Sequence, residues 1–138
     1  MTLNPDVVRT RCSDIEEACA RLARFADMPM ETFVADSDAV DAASYRLLVG
    51  MEAALTLCYH VSAKHLRQVP EQYAACFDTL RDAGVVAQDL ADRLKAMARF
   101  RNLLVHIYAR VDPARLHGIL REHLDDLRAF ARAVAGLL

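Results

Sequence analysis

The fold is decided by the stretch Leu47–Ala63, LLVGMEAALTLCYHVSA, in which Glu52 is the only charged residue. A helix formed by this stretch is apolar on nearly every side. Such a helix is stable when other helices cover it or when it spans a membrane. The stretch is short for a span and also contains Thr56, His60 and Ser62. We therefore expect it to be the central helix of a bundle.

Capping residues and prolines divide the remaining sequence into further helices. A capping side chain followed by proline is a typical helix start, and it occurs at Asn4–Pro5 and again at Asp112–Pro113. The segment METFVADSD is expected to be a loop. The expected helices are a first from Pro5 to near Asp27, a central one from Asp36 or Ser37 to about Leu66, a short third opened by Pro70 and closed by Gly84, a fourth from Asp89 to Arg110 and a fifth after Pro113.

Length and composition indicate one helical domain. The chain has 138 residues, is 54% hydrophobic and contains only four Gly and four Pro. We expect a single all-α domain over residues 1–138, an up-and-down bundle of four to five helices. The net charge of −2 gives no overall positive field for DNA or an anionic membrane. The N-terminus has no signal-peptide pattern, so a cytoplasmic location is expected.

The cysteines and histidines show no metal-binding pattern. The four cysteines lack CxxC spacing and occupy apolar helix positions, so reduced, buried thiols are expected and no metal site is predicted. A structural role is expected for the histidines outside the fourth helix, and a solvated face for the charged residues of the fifth helix. These are His60, His65, His117 and His123, and Arg121, Glu122, Asp125, Asp126 and Arg128.

Helical projection of the fourth helix predicts an unusual surface. Its core face is expected to hold Leu90, Ala96, Met97, Phe100, Leu103, Leu104 and Ile107. The opposite face is expected to hold Ala98, Arg101, Asn102, Val105 and His106. The stretch from Arg93 to Arg110 also carries five basic residues and no acid, namely Arg93, Lys95, Arg99, Arg101 and Arg110. This basic strip suits a phosphate or a partner surface.

Pairing two copies of this face predicts a catalytic cleft. Arg101 and His106 lie about 140° apart on an ideal helix and do not touch within one chain. A two-fold axis past Ala98 and Val105 would bring two arginines and two histidines into one cleft. Histidines can move the 2′-hydroxyl and leaving-group protons of RNA cleavage, and arginines can stabilise the charge of the transition state. No metal is required for this chemistry.

The stretch RFRNLLVHIYARVD (Arg99–Asp112) resembles the R-x4-H-x-Y motif of HepT-type toxins in the HEPN superfamily, with Arg101, His106 and Tyr108 at the motif positions. SYRLLVGMEAA and PEQYAACFDTLRDAGVV also resemble family segments, so the likeness covers most of residues 40–112. One departure is Ile107, where the family often has glycine.

The resemblance implies a homodimeric, metal-independent ribonuclease toxin with Arg101 and His106 as catalytic residues and RNA as substrate. It also implies a minimal nucleotidyltransferase antitoxin that transfers AMP from ATP to Tyr108 and so blocks the RNA site. The chain itself would need no cofactor, because only the partner uses ATP.

Several alternatives stay open at this point. Asn102 either holds the His106 ring or forms part of a polar surface. Glu52 either pairs with an arginine such as Arg46 inside the bundle, the favoured reading, or orients Arg101. A non-catalytic HEPN-like partner of a nucleotidyltransferase, or a purely structural oligomer built on Ala98 and Val105, would also fit these residues.

Overall fold

Six α-helices form the part of the chain that this computed structural model describes, residues 2–106 and 111–138. They are α1 (Pro5–Asp27), α2 (Met30–Ala35), α3 (Ser37–Lys64), α4 (Tyr73–Asp82), α5 (Gln88–Val105) and α6 (Pro113–Ala135). The described ranges contain no strand, which confirms the predicted all-α class.

α3 is the central helix, as its sequence predicts. It packs against α1, α4, α5 and α6, and Leu47, Met51 and Leu57 are buried almost completely. Gly50 allows close approach to α1, because a Cβ atom at this position would lie 3.1 Å from Cβ of Ala18. Within the described ranges, no helix is long and apolar enough to cross a membrane.

The predicted starts of α1, α3 and α6 and the turn after α4 are confirmed, whereas α4 begins at Tyr73 and not at Pro70. The Asn4 side chain accepts hydrogen bonds from the first turn of α1, and Asp112 accepts one from Ala114 N at 3.0 Å. Asp36 caps α3 by accepting from Ala39 N at 3.1 Å. Gly84 follows α4 with φ +77°, the left-handed conformation that glycine adopts at low cost.

Two of the predicted boundaries are wrong. The segment expected to be a loop contains α2, whose Phe33 is fully buried and packs on the His117 ring at 5.1 Å. This tertiary contact stabilises a helix too short to form alone. The fourth predicted helix, expected to reach Arg110, ends as α5 at Val105.

The expectation of four reduced cysteines is also wrong. A disulfide joins Cys58 of α3 to Cys76 of α4, whose Cα atoms lie 6.1 Å apart. Cys12 and Cys19 are free thiols, and burial raises the pKa of Cys19 to about 11. Sequence spacing did not reveal the pair because its two cysteines are 18 residues apart on different helices.

Asp126 of α6 is buried, not part of a solvated face. Its carboxylate accepts a hydrogen bond from Arg93 Nε at 3.0 Å and lies 2.9 Å from His123 Nδ1. The structure thereby satisfies a carboxylate that would be costly to bury alone. His117 is likewise buried, with its Nε2 atom 2.8 Å from the Met28 carbonyl oxygen.

Candidate functional site

The inward face of α5 includes Arg101, contrary to the helical projection. Ala91, Leu94 and Ala98 are buried, whereas Ala96, predicted to face the core, is exposed. The buried face is therefore rotated from the predicted one toward Ala98 and Arg101. α5 packs against α4 and α3, and its Met97 and Phe100 are buried as predicted.

Arg101 is held from three sides at the contact between α3, α4 and α5. Its Nε donates to a carboxylate oxygen of Glu52 at 2.5 Å, and its Cζ lies 4.6 Å from the centre of the Tyr73 ring. Its Nη1 donates to Asn102 Oδ1 at 3.3 Å. Only 15% of the Arg101 side chain is exposed, so the guanidinium is fixed before any ligand arrives.

The contact of Glu52 corrects the favoured pairing with Arg46. Glu52 binds Arg101, while the Arg46 guanidinium lies 5.6 Å from the Tyr45 ring centre. Asn102 likewise contacts Arg101 through its side chain, so the alternative in which it holds His106 receives no support from the described hydrogen bonds.

A groove of about 880 Å³ opens beside Arg101. Its floor includes Leu55 and Ala98, each 2% exposed. Tyr59 and Tyr73 form an aromatic wall, with ring centres 5.8 Å apart and planes at 76°. Burial raises the pKa of Tyr59, and the nearby Tyr73 adds to this effect. The polar lining consists of Glu52, Thr56, Glu71, Gln72, Arg99 and Asn102.

The basic strip predicted along α5 is largely neutralised by acids from other helices. Lys95 pairs with Asp78 of α4 at 3.0 Å, and Arg93 pairs with Asp126 of α6. Arg99 lines the groove and has no carboxylate partner among the described residues. Arg101 is paired with Glu52, and Arg110 lies outside the described residues, so the described part of α5 carries no continuous positive surface.

His106 immediately follows α5 and is exposed, with φ −85° and ψ +111°. The angular relationship predicted for Arg101 and His106 on one helix therefore does not apply, because the helix ends between them. Tyr108, the predicted AMP acceptor, lies outside the described residues, as does Ile107.

The two residues predicted to form a dimer contact differ in exposure. Val105 is 39% exposed and its neighbour Leu103 is 37% exposed, so both have apolar surface available. Ala98 is 2% exposed and is covered by the same chain, which leaves it little surface for a second copy. A homodimer through Val105 remains a prediction.

The two groove tyrosines, Tyr59 and Tyr73, are not among the site residues predicted from the sequence. A usable signal was present, since Glu52, Thr56 and Tyr59 recur at helical spacing on one side of α3. Within the described ranges, no cluster of three or more potential ligands forms a metal site.

These features define a helical-bundle protein with a fixed arginine at a surface groove and an exposed histidine five residues later. The family model for HepT-like proteins, described as ribonuclease HepT-like, matches residues 15–134. The chain therefore belongs to the HepT-like ribonuclease family, as its motif predicts.

A curated relative is similar over part of the sequence, and solved structures are similar in fold. The mRNA nuclease HepT of Shewanella oneidensis is 27% identical to this chain over 79 aligned residues. The alignment covers 57% of this chain and 59% of that protein, so this chain matches about three fifths of the relative's length. A structure of the tri-AMPylated S. oneidensis HEPN toxin in complex with MNT antitoxin has a TM-score of 0.86, with 21% identity, over 95% of this chain and 98% of that chain. A toxin-antitoxin structure with AMP-PNP has a TM-score of 0.84, also with 21% identity, over 94% and 98% of the two chains. These structures share the fold of this chain.

Proposed function

We propose that this protein is the endoribonuclease toxin of a toxin-antitoxin pair and that it acts on RNA in the cytoplasm. The observation that carries the proposal is the fixed Arg101, held by Glu52 and Tyr73 at a groove, with His106 at the spacing of the family motif. The curated relative is named as an mRNA nuclease, which supports RNA as the substrate class.

Arg101 is suited to stabilise charge on a phosphate. A guanidinium has five N–H donors, and hydrogen bonds to Glu52 and Asn102 use two of them. The described contacts thus leave three donors for phosphate oxygens. Because Glu52 and Tyr73 already fix the side chain, little conformational entropy is lost when it binds the transition state.

His106 is the proposed proton carrier. An imidazole changes charge near neutral pH, so one histidine can accept the proton of the 2′-hydroxyl while another donates a proton to the leaving 5′ oxygen. Its exposed position at the end of α5 allows contact with a substrate. In a homodimer, the second histidine would come from the other copy. This reaction needs no metal, and we propose none.

The proposed antitoxin is a nucleotidyltransferase that transfers AMP from ATP to Tyr108. The solved relatives include a tri-AMPylated toxin bound to MNT antitoxin, which supports both the partner and the modification. An AMP group two residues from His106 would add bulk and negative charge where RNA phosphates must bind. The toxin would then be blocked without unfolding.

The first test is the intact mass of the protein expressed alone and together with a nucleotidyltransferase encoded beside it, followed by peptide mapping. The proposal expects one or more AMP groups on the Tyr108 peptide only after co-expression, and loss of RNA cleavage in that sample. If neither sample gains mass, AMPylation is rejected. If the unmodified protein also cleaves no RNA but binds the nucleotidyltransferase, the protein is instead a non-catalytic partner.

A further inference from the structure

The groove beside Arg101 has features of a base-binding site in addition to those needed for cleavage. We infer that it binds a nucleobase adjacent to the scissile phosphate and thereby selects the RNA sequences that are cleaved. The inference rests on the proposed function, because it concerns the substrate of the same site. Tyr59 and Glu71 are the residues to which we assign this selection.

The aromatic wall provides a stacking surface. Tyr59 and Tyr73 both line the groove, and their edge-to-face contact fixes the two rings relative to each other. The Arg101 guanidinium lies on Tyr73 at 4.6 Å and restrains that ring further. Single-stranded RNA is commonly bound by stacking an unpaired base on such rings. The apolar floor at Leu55 and Ala98 suits the face or edge of a flat ring.

The charge of the groove favours a base over a phosphate as its occupant. Glu52 and Glu71 place two carboxylates in the lining, and these would repel a phosphate that entered the groove itself. Arg101 lies beside the groove and keeps donors that Glu52 and Asn102 do not use, so a phosphate next to the bound base can meet its guanidinium. The groove volume of about 880 Å³ is in the range of small-molecule sites and can accommodate a nucleoside.

Glu71 predicts which bases are preferred. It is exposed at the rim, just before α4, and an ionised carboxylate only accepts hydrogen bonds. It should therefore favour a base whose pairing edge carries an amino group, namely guanine, adenine or cytosine. Uracil has no amino group, and its one donor on that edge, N3–H, lies between two carbonyl oxygens that a carboxylate disfavours. Thr56 retains its acceptor capacity, since its hydroxyl donates to the Glu52 carbonyl oxygen at 2.9 Å.

Steady-state cleavage of single-stranded oligoribonucleotides by the unmodified, full-length protein tests the stacking role. Tyr59→Leu should raise KM about tenfold and leave kcat within about twofold, because one base–aromatic contact is lost. Tyr59→Phe keeps the ring and should recover most of that increase in KM. Tyr45→Leu is the matched control, since Tyr45 lies on the same helix outside the groove and is 62% exposed. An unchanged KM for Tyr59→Leu would overturn the inference.

A panel of oligonucleotides that differ only in the bases flanking the cleaved bond tests the preference. The parent should disfavour uracil at one flanking position, and Glu71→Gln should reduce that discrimination by at least about threefold, since an amide both donates and accepts. Equal cleavage of all four bases by the parent would overturn the inference while leaving the proposed ribonuclease intact.

If the unmodified protein cleaves no RNA, the proposed function is rejected. Binding of a 2′-O-methyl oligoribonucleotide would then test separately whether the groove binds a base. Weaker binding by Tyr59→Leu but not by Tyr45→Leu would support base binding. Equal binding by both variants would overturn it. The inference is also overturned if Tyr59→Leu weakens only the complex with the nucleotidyltransferase, because the groove would then belong to a protein interface.

Discussion

Arg101 and Glu52 lie 49 residues apart in sequence and are joined by a 2.5 Å hydrogen bond between α5 and α3. The pair links the motif arginine to the central helix. Glu52 is 46% exposed and borders the groove, so the bond forms where substrate would enter. Glu52 holds the guanidinium, and under the proposed function it would position Arg101 for a phosphate.

Removal of this carboxylate should therefore impair turnover more than binding. Glu52→Ala is expected to lower kcat about tenfold or more, the scale of a hydrogen bond to a charged group, with a smaller change in KM. Glu52→Gln keeps an acceptor for Arg101 Nε and should recover part of the loss. Glu31→Gln is the control, because Glu31 is an exposed residue of α2. Equal loss of kcat for the glutamine and alanine variants would contradict the positioning role.

The Cys58–Cys76 disulfide should stabilise the packing of α4 on α3. Cys76→Ala is expected to lower the free energy of unfolding by about 3 kcal/mol, the usual effect of a disulfide that closes a loop of this size. Urea unfolding with and without reductant measures the effect. Cys12→Ala should leave the sensitivity to reductant unchanged. Mass spectrometry that finds all four thiols free in the non-reduced protein would contradict this prediction.

The α1–α3 contact predicts opposite effects for two glycine substitutions. Gly50→Ala should destabilise the protein by about 1 kcal/mol or more, because the new methyl group would lie 3.1 Å from the side-chain Cβ of Ala18 in α1, which no rotamer change can move. A Cβ atom at Gly118 would have no neighbour within 4 Å, and this glycine lies within α6. Gly118→Ala should therefore stabilise the protein by up to about 1 kcal/mol, because alanine has the higher helix propensity. Thermal unfolding of both variants tests the contact, and stabilisation by Gly50→Ala would refute it.

His60 should make stability dependent on pH. Burial lowers the pKa of His60, with a further contribution from Lys64, and its Nε2 accepts a hydrogen bond from Asn4 N at 3.0 Å. As the pH falls through the ordinary value of about 6.5, the unfolded chain takes up the proton first, so this contribution to stability decreases. It is lost fully below the lowered pKa of the folded state.

Urea unfolding at roughly pH 8 and pH 5.5, on either side of the ordinary histidine pKa, measures the contribution of His60 to the free energy of unfolding. His60→Gln, which keeps an acceptor but does not titrate, should lose less stability than the parent over this interval. His65→Gln is the control, because His65 is exposed near the same end of α3. An identical pH response of the parent and His60→Gln would rule out the predicted coupling.

Local sequence signals predicted most of the fold. Asn4, Asp36 and Asp112 cap their helices as expected, because these caps depend on residues within one turn. The helical identity of α2 was missed, since that helix depends on Phe33 packing against the distant His117 ring. The Cys58–Cys76 pair was missed for a similar reason: sequence periodicity does not report which faces of two helices meet.

The sequence named Arg101 and Glu52 as candidate site residues, but it gave neither their arrangement nor the tyrosines Tyr59 and Tyr73 beside them. The spacing of Arg101 and His106 pointed to a phosphate-directed site, and Glu52 was considered as a partner for Arg101. The burial of Arg101 could not be inferred, because a projection places charged residues outside by default. Tyr73 covers Arg101 only because α4 lies across α5, a tertiary relationship that is absent from either helix alone.

The most direct test of the central claim is RNA cleavage by the unmodified protein, compared with Arg101→Ala and His106→Ala in metal-free buffer containing a chelator. We expect the parent to cleave single-stranded RNA and each variant to lose at least about a hundredfold in kcat, the scale for removal of a transition-state donor or a general acid–base group. Cleavage by either variant at the rate of the parent, or no cleavage by a parent shown by mass spectrometry to carry no AMP, would contradict the account.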